Sequence, residues 1–164
     1  MTNNFVFEAD MAAKTIHISR EFNAPVEKVW RAWTEPDLIE KWIAPKPWMA
    51  KTKLMDFTVG GIWLYAMVSP EGQKHWTRIE FTEIVNGDSF SSINMFSDED
   101  GNTAAGAPKS FTETKFSPIE GGRTKVDVLK TFTDEATIKM FAQMGFREGT
   151  IAGYSQLDEL LASE

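Results

Sequence analysis

The side chains able to do chemistry are few in this chain and lie far apart. Its 164 residues include two histidines, His17 and His75, and no cysteine. Disulfides, thiolate metal sites and cysteine nucleophiles are therefore excluded. His17 falls on the polar side of an alternating stretch and His75 follows a turn, positions that favour solvent. Two separated histidines make no metal constellation, so neither a metal nor a cofactor is expected. Asp98, Glu99 and Asp100 before Gly101 lack the spacing and closing glutamate of a calcium loop. No serine sits in a Gly-x-Ser-x-Gly elbow, and no glycine-rich phosphate loop precedes a helix. Arg78 and Glu80, two apart on one strand face, suit pairing with each other or across a sheet. Glu148 lies about 60° from Gly145 on a helical wheel. Desolvated, it could act as a general acid or base, or orient the polar end of a ligand. The plainer reading is a boundary glutamate paired with a lysine or arginine.

Glu148 belongs to a stretch, 134–162, that reads as one long C-terminal helix. Gly145, Gly149 and Gly153 recur every four residues and share an arc with Ala142 and Ala152. Each glycine inside a helix costs about 1 kcal/mol relative to alanine, so three need a reason. Either the backbone presses closely on a sheet, or the arc leaves space beneath the helix for a ligand.

The elements before that helix follow from periodicity. Phe5 and Phe7 suggest a short edge strand within residues 1–12, or an arm without structure. In 15–22, Ile16, Ile18 and Phe22 share one face, the pattern of a half-buried strand. Pro25 suits a first helical turn, and Val26, Val29, Trp30 and Trp33 recur at helical spacing. Pro36 starts a second short helix expected to carry Leu38, Ile39, Trp42 and Ile43. From Trp48 the period becomes two: strands are expected over 51–59, 62–68, 74–85, 89–97, 109–116 and 124–132. Gly60-Gly61, Ser69-Pro70-Glu71-Gly72 and Asn86-Gly87-Asp88 mark turns or breaks. Residues 98–108 are acidic, small and glycine-rich, and read as a mobile loop. Hairpin-length connections imply an antiparallel sheet, and one helix must cover its concave face, giving an α+β fold in a single domain over 1–164.

Composition narrows the partners. Hydrophobic residues make up 42% and there are six tryptophans, enough for a sizeable core. The formal net charge is −7 and no Lys/Arg cluster occurs, which argues against nucleic acid and against anionic membrane surfaces. No apolar run reaches membrane-spanning length, and Met1 to Asp10 has no signal-peptide pattern. The simplest localisation is cytoplasmic.

Residues 24–36, Ala-Pro-Val-Glu-Lys-Val-Trp-Arg-Ala-Trp-Thr-Glu-Pro, resemble the opening signature of proteins related to the activator of the ninety-kilodalton heat-shock protein ATPase. Val59-Gly60-Gly61 is similar, as are Trp63, Tyr65 and Met67, Pro70-Glu71-Gly72, Phe81 with Glu83-Ile84, Met144-Gly145-Phe146, and Leu157 with Leu160. The resemblance implies the helix-grip fold of the START-like and plant-allergen-like superfamily. There a curved antiparallel sheet, here of six to seven strands, wraps the C-terminal helix, two short helices follow the first strand, and an apolar cavity lies between sheet and helix. The chain departs from the pattern in two places. Thr150, rather than tryptophan, follows Gly149, and the outward positions Ile62, Leu64, Ala66 and Val68 are apolar where relatives are commonly polar.

On this resemblance Trp42, Trp63, Tyr65, Met67, Phe81 and Phe141 face the cavity, with Gly145, Glu148 and Gly149 on its helical side. They either line an apolar pocket or fill it as core. An apolar or amphipathic small molecule is the first expected partner. A co-chaperone-like regulator of a chaperone ATPase, and an enzyme of cyclase or hydrolase type on an apolar substrate, are the alternatives. No catalytic residue is specified. The apolar stripe Ile62, Leu64, Ala66, Val68 is expected to face outward and to support a homodimer.

Overall fold

Alternation along the chain becomes one sheet in the computed structural model, which describes residues 3–163. Met1 and Thr2, at the start of the expected arm, and Glu164 lie outside the described residues. The strands are β1 (Val6–Asp10), β2 (Thr15–Phe22), β3 (Met49–Met55), β4 (Ile62–Val68), β5 (Lys74–Val85), β6 (Ser89–Ser97), β7 (Lys109–Ile119) and β8 (Arg123–Phe132). All neighbours pair antiparallel, in the order β1-β2-β8-β7-β6-β5-β4-β3. The protein is thus α+β, with a single eight-stranded antiparallel sheet and a C-terminal helix.

Eight strands replace the six to seven expected. The addition is β1, which pairs from Val6↔Ser19 to Asp10↔Thr15. Its alternation is weak, but Phe7 finds an aromatic partner in Phe146, with ring centroids 5.8 Å apart. β3 ends at Met55, short of the expected Val59. There the chain turns, with the Thr58 N–H donating to the Asp56 carbonyl and the Asp56 N–H to Ile62. Gly61 has no room for a side chain, since a Cβ would lie 2.2 Å from the Asp56 carbonyl oxygen.

Between β2 and β3 the chain must cross from one side of the sheet to the opposite edge. It does so through α1 (Val26–Thr34) and the single turn α2 (Pro36–Ile39). The second helix does not run through Trp42 and Ile43 as expected. Tertiary bonds organise that segment instead: the Trp42 indole N–H donates to Ala32 O at 2.9 Å, and Gln156 Nε2 donates to the carbonyls of Trp42 and Ala44.

The long helix is also divided. α3 (Glu135–Gln143) is capped by Asp134, whose carboxylate accepts from the Thr137 N–H at 2.8 Å. α4 (Phe146–Ser163) follows after a break at Gly145, which has φ +78°. Only glycine adopts this backbone without cost. Residues flanking the break suit a helix, so periodicity alone carries straight through it.

The concave face of the sheet is filled at one end and hollow at the other. Phe22, Trp30, Trp33, Trp42, Phe90, Phe116 and Tyr154 form one chain of edge-to-face contacts, with centroid separations from 4.6 to 6.0 Å. Such contacts add about 0.5–1.5 kcal/mol per pair beyond area burial. α4 is fixed over this end by Arg20, which stands in the inward row of β2. Its guanidinium donates to both Asp158 oxygens, at 2.8 and 2.6 Å, and lies 4.7 Å from the Phe22 ring centroid.

The outward stripe on β4 is not open surface. Leu64 and Ala66 are only 3% and 1% exposed. The 98–102 turn folds onto Leu64: Arg78 donates to Gly101 O at 3.0 Å, Lys53 donates to Glu99 O, and the Leu64 methyl lies 3.7 Å from where a Gly101 Cβ would be. The acidic segment expected to be a mobile loop is therefore hydrogen-bonded to the sheet at this turn.

A cleft beneath the helix break as candidate functional site

Past the aromatic end, the concave face opens into a cleft of about 810 Å³. Ile18 on β2 and Trp63 on β4 both line it. Five strand spacings separate those strands, about 24 Å on a flat sheet, so the sheet must curve around the cleft. Trp63 and Tyr65 form one wall as a stacked pair, centroids 3.9 Å apart and planes 15° from parallel. The Trp63 indole N–H is satisfied by Thr52 Oγ1 at 2.9 Å.

Eight of the nine residues singled out in the sequence come together here. Trp42, Trp63, Tyr65, Met67, Phe81 and Phe141 line the cleft, as do Gly145 and Gly149. Glu148 does not. On α4 it shares an exposed stripe with Arg147, Ile151, Ser155 and Glu159. The break at Gly145 starts α4 afresh and leaves Gly149, not Glu148, on the sheet side. Trp48 borders the cleft with its ring centroid 5.5 Å from that of His75, which is exposed, as its place after a turn favours, and stands on the cleft's rim.

The three glycines have three different causes. Gly145 makes the turn between α3 and α4. Gly153 lets α4 approach the chain after α2, since an added Cβ would meet the Trp42 carbonyl oxygen at 3.0 Å. Gly149 combines a helical backbone with ordinary room: its Cβ would lie 3.7 Å from Pro45, and the residue borders the cleft.

The floor is polar, and sequence reasoning missed its main group. Lys130 occupies an inward position of β8, in phase with Thr124, Val126, Val128 and Phe132. Its register partner on β7 is Thr112, which pairs in turn with Ser92 on β6. Lys130 Nζ donates to Thr112 Oγ1 at 3.0 Å, and Ser92 Oγ donates to Asn94 Oδ1 at 2.7 Å. Burial lowers the Lys130 ammonium to about 8, because a charged amine loses hydration there. No carboxylate reaches it within ion-pair distance among the described residues. The opposite effect acts on Tyr65, whose phenol burial pushes up to about 12 although Thr77 hydrogen-bonds it. The arrangement can hold an oxygen-bearing group against an ammonium, hydroxyls and an amide, while rings enclose an apolar body. Among the described residues, none of those lining the cleft is Asp or Glu, so none of them offers a carboxylate base.

The sequence carried a signal for Lys130. A lysine in phase with Val126, Val128 and Phe132 breaks an otherwise inward row, and Arg20 does the same between Ile18 and Phe22. Thr112 and Ser92 gave no such signal, since hydroxyls sit equally well on either face of a sheet.

Comparison with known proteins agrees with this geometry. Residues 23–162 match the family described as Activator of Hsp90 ATPase homolog 1-like protein. A protein from Arthrobacter aurescens, solved by solution NMR, superposes with a TM-score of 0.88 at 31% identity, covering 97% of this chain and 92% of its own. A crystal structure of a protein from Mycobacterium smegmatis gives 0.86 at 28% identity, over 96% and 97% of the two chains. A protein from Staphylococcus epidermidis gives 0.84 at 25%, over 96% and 94%. A search of curated proteins found no match. The matched span runs from the residues just before α1 to the end of α4 and includes every wall of the cleft except β2; the chain belongs to the Activator of Hsp90 ATPase homolog 1-like family.

Proposed function

We propose that this protein binds an apolar or amphipathic small molecule in the cleft between the sheet and α3–α4. The observation that carries the reading is the cleft itself: about 810 Å³, walled by the stacked Trp63–Tyr65 pair and Phe141, at the one end of the concave face that side chains do not fill. This volume lies within the range of small-molecule sites, which are mostly apolar with a few placed polar groups. Binding would come from apolar burial, about 25 cal/mol per Å² before the costs of association. Native mass spectrometry of protein purified from cells, with a Nile red titration beside it, tests the reading. Saturable one-to-one uptake of the dye, or a retained apolar molecule, supports it. Absence of both would overturn it.

The family description supplies a second reading, regulation of a chaperone ATPase. A coupled ATPase assay with this protein added tests it, and an unchanged rate would count against it.

A further inference from the structure

The cleft is charged against the grain of the molecule. The chain carries a formal net charge of −7, yet among the described residues the cleft is lined by no acidic side chain and by Lys130, Lys109 and His75. Lys130 is the one set into the floor. Its ammonium has three donors, of which one goes to Thr112; the Phe146 ring centroid, 5.8 Å away, is its other charge-favouring neighbour. A half-buried cation without a counter-ion is costly unless something else supplies the anion.

We propose that the ligand is an amphipathic carboxylate, its head group on Lys130 and Thr112 and its tail along Trp63 and Tyr65. This rests on the small-molecule reading of the same cleft. Three observations select the class. The polar groups are segregated: Lys130, Thr112 and Ser92 make a continuous cross-strand row over β8, β7 and β6, while the apolar wall lies on β4. A ligand with one polar end matches that separation, and a uniformly apolar one would leave the ammonium unpaired. A cationic head would be repelled with no acid nearby to hold it. One ammonium beside the Thr112 hydroxyl, which accepts from Lys130 and keeps its own O–H to donate, suits a singly charged head group, since charge-assisted hydrogen bonds are stronger than neutral ones.

Displacement of Nile red by dodecanoate and by dodecan-1-ol, compared at pH 7, tests the assignment. The two probes share a tail and differ in charge at the head. The wild-type protein is expected to prefer dodecanoate by about tenfold or more, the size of one charge-assisted contact. Lys130→Met is expected to abolish that preference while still taking up dodecan-1-ol, and Lys130→Arg to retain it. Equal affinities in the wild type, or a preference that survives in Lys130→Met, would overturn the inference and leave the cleft reading standing. Failure of both probes to displace bound Nile red would likewise overturn the inference and leave the cleft reading standing, whereas no dye uptake and no retained molecule would overturn the two together.

Discussion

Lys130 Nζ lies 3.0 Å from Thr112 Oγ1, a register partner on the adjacent strand, and both side chains face the cleft. This pair sets the polarity of the floor and gives it a pH signature. Burial holds the ammonium near 8 in the folded state, below the ordinary lysine value of about 10.4 in the unfolded chain. Between those values the unfolded state binds more protons, so this group makes stability rise with pH. Below about 8 the full penalty of the buried charge is present. Lys130→Met removes the penalty and is expected to stabilise the protein by roughly 1–2 kcal/mol at pH 7, after discounting for partial solvation. The gain should shrink as pH climbs from 8 to above 10. Urea denaturation of both proteins at pH 7 and pH 10 checks this; a gain independent of pH would count against it.

Three glycines on one expected arc should respond differently to alanine. Gly145→Ala forces a side chain to φ +78°, costing about 1–2 kcal/mol. Gly153→Ala places a Cβ 3.0 Å from the Trp42 carbonyl oxygen, so α4 or the segment after α2 must shift; a loss of about 1–3 kcal/mol is expected, as for other overpacked sites. Gly149→Ala meets only Pro45, at ordinary contact distance, and should gain up to about 1 kcal/mol from helix propensity. Thermal denaturation of the three variants gives the order directly. A common loss at all three would contradict separate causes.

The Arg20–Asp158 fork holds α4 over the filled end of the sheet. The Arg20 side chain is 8% exposed and that of Asp158 is 45%, so most of the cost of breaking the pair lies in stranding the arginine. Asp158→Ala is expected to cost about 1–2 kcal/mol, below the figure for a wholly buried pair. A double-mutant cycle with Arg20→Met should show the two losses to be non-additive. Additive losses would mean that the fork carries no coupling.

Much of this organisation was legible in the sequence, and the misses have specific causes. Strands β2, β4, β5 and β6 could be bounded from alternation because their turns carry glycine, proline or asparagine at the necessary positions. The stretch 134–162 could not be divided, because Met144 and Phe146 continue the helical period and only the backbone angle at Gly145 distinguishes a break from a tolerated glycine. Parity puts Trp63, Tyr65 and Met67 on one face of their strand, but both faces are apolar, and it is the family resemblance that implies which of them meets the cleft. Glu148 was misplaced because its phase was counted from Gly145 across that break. Lys130 and Arg20 stood in phase with buried neighbours and could have been read as inward. Leu64 reads as open surface because no periodicity announces that a distant turn, 98–102, folds over it.

That coverage yields an expectation for self-association. A second copy docking on Ile62, Leu64, Ala66 and Val68 must first displace the 98–102 turn. Gly101→Val, which adds bulk at φ +83° beside Leu64, is expected to loosen the turn and bring on concentration-dependent association in light scattering. The wild-type protein is expected to show less association at the same concentration. Equal behaviour would mean that the turn does not guard this face.

The central claim is that the space beneath α4 is used for binding. Gly149→Leu tests it most directly, because Gly149 borders the cleft and its Cβ meets no backbone atom within 4 Å. Nile red should be titrated into the wild type and into this variant, with thermal denaturation of both run alongside. The account expects saturable uptake by the wild type, and an affinity at least about tenfold weaker in a variant that still unfolds cooperatively, as displaced apolar contact would give. Equal dye binding by the two folded proteins would contradict it.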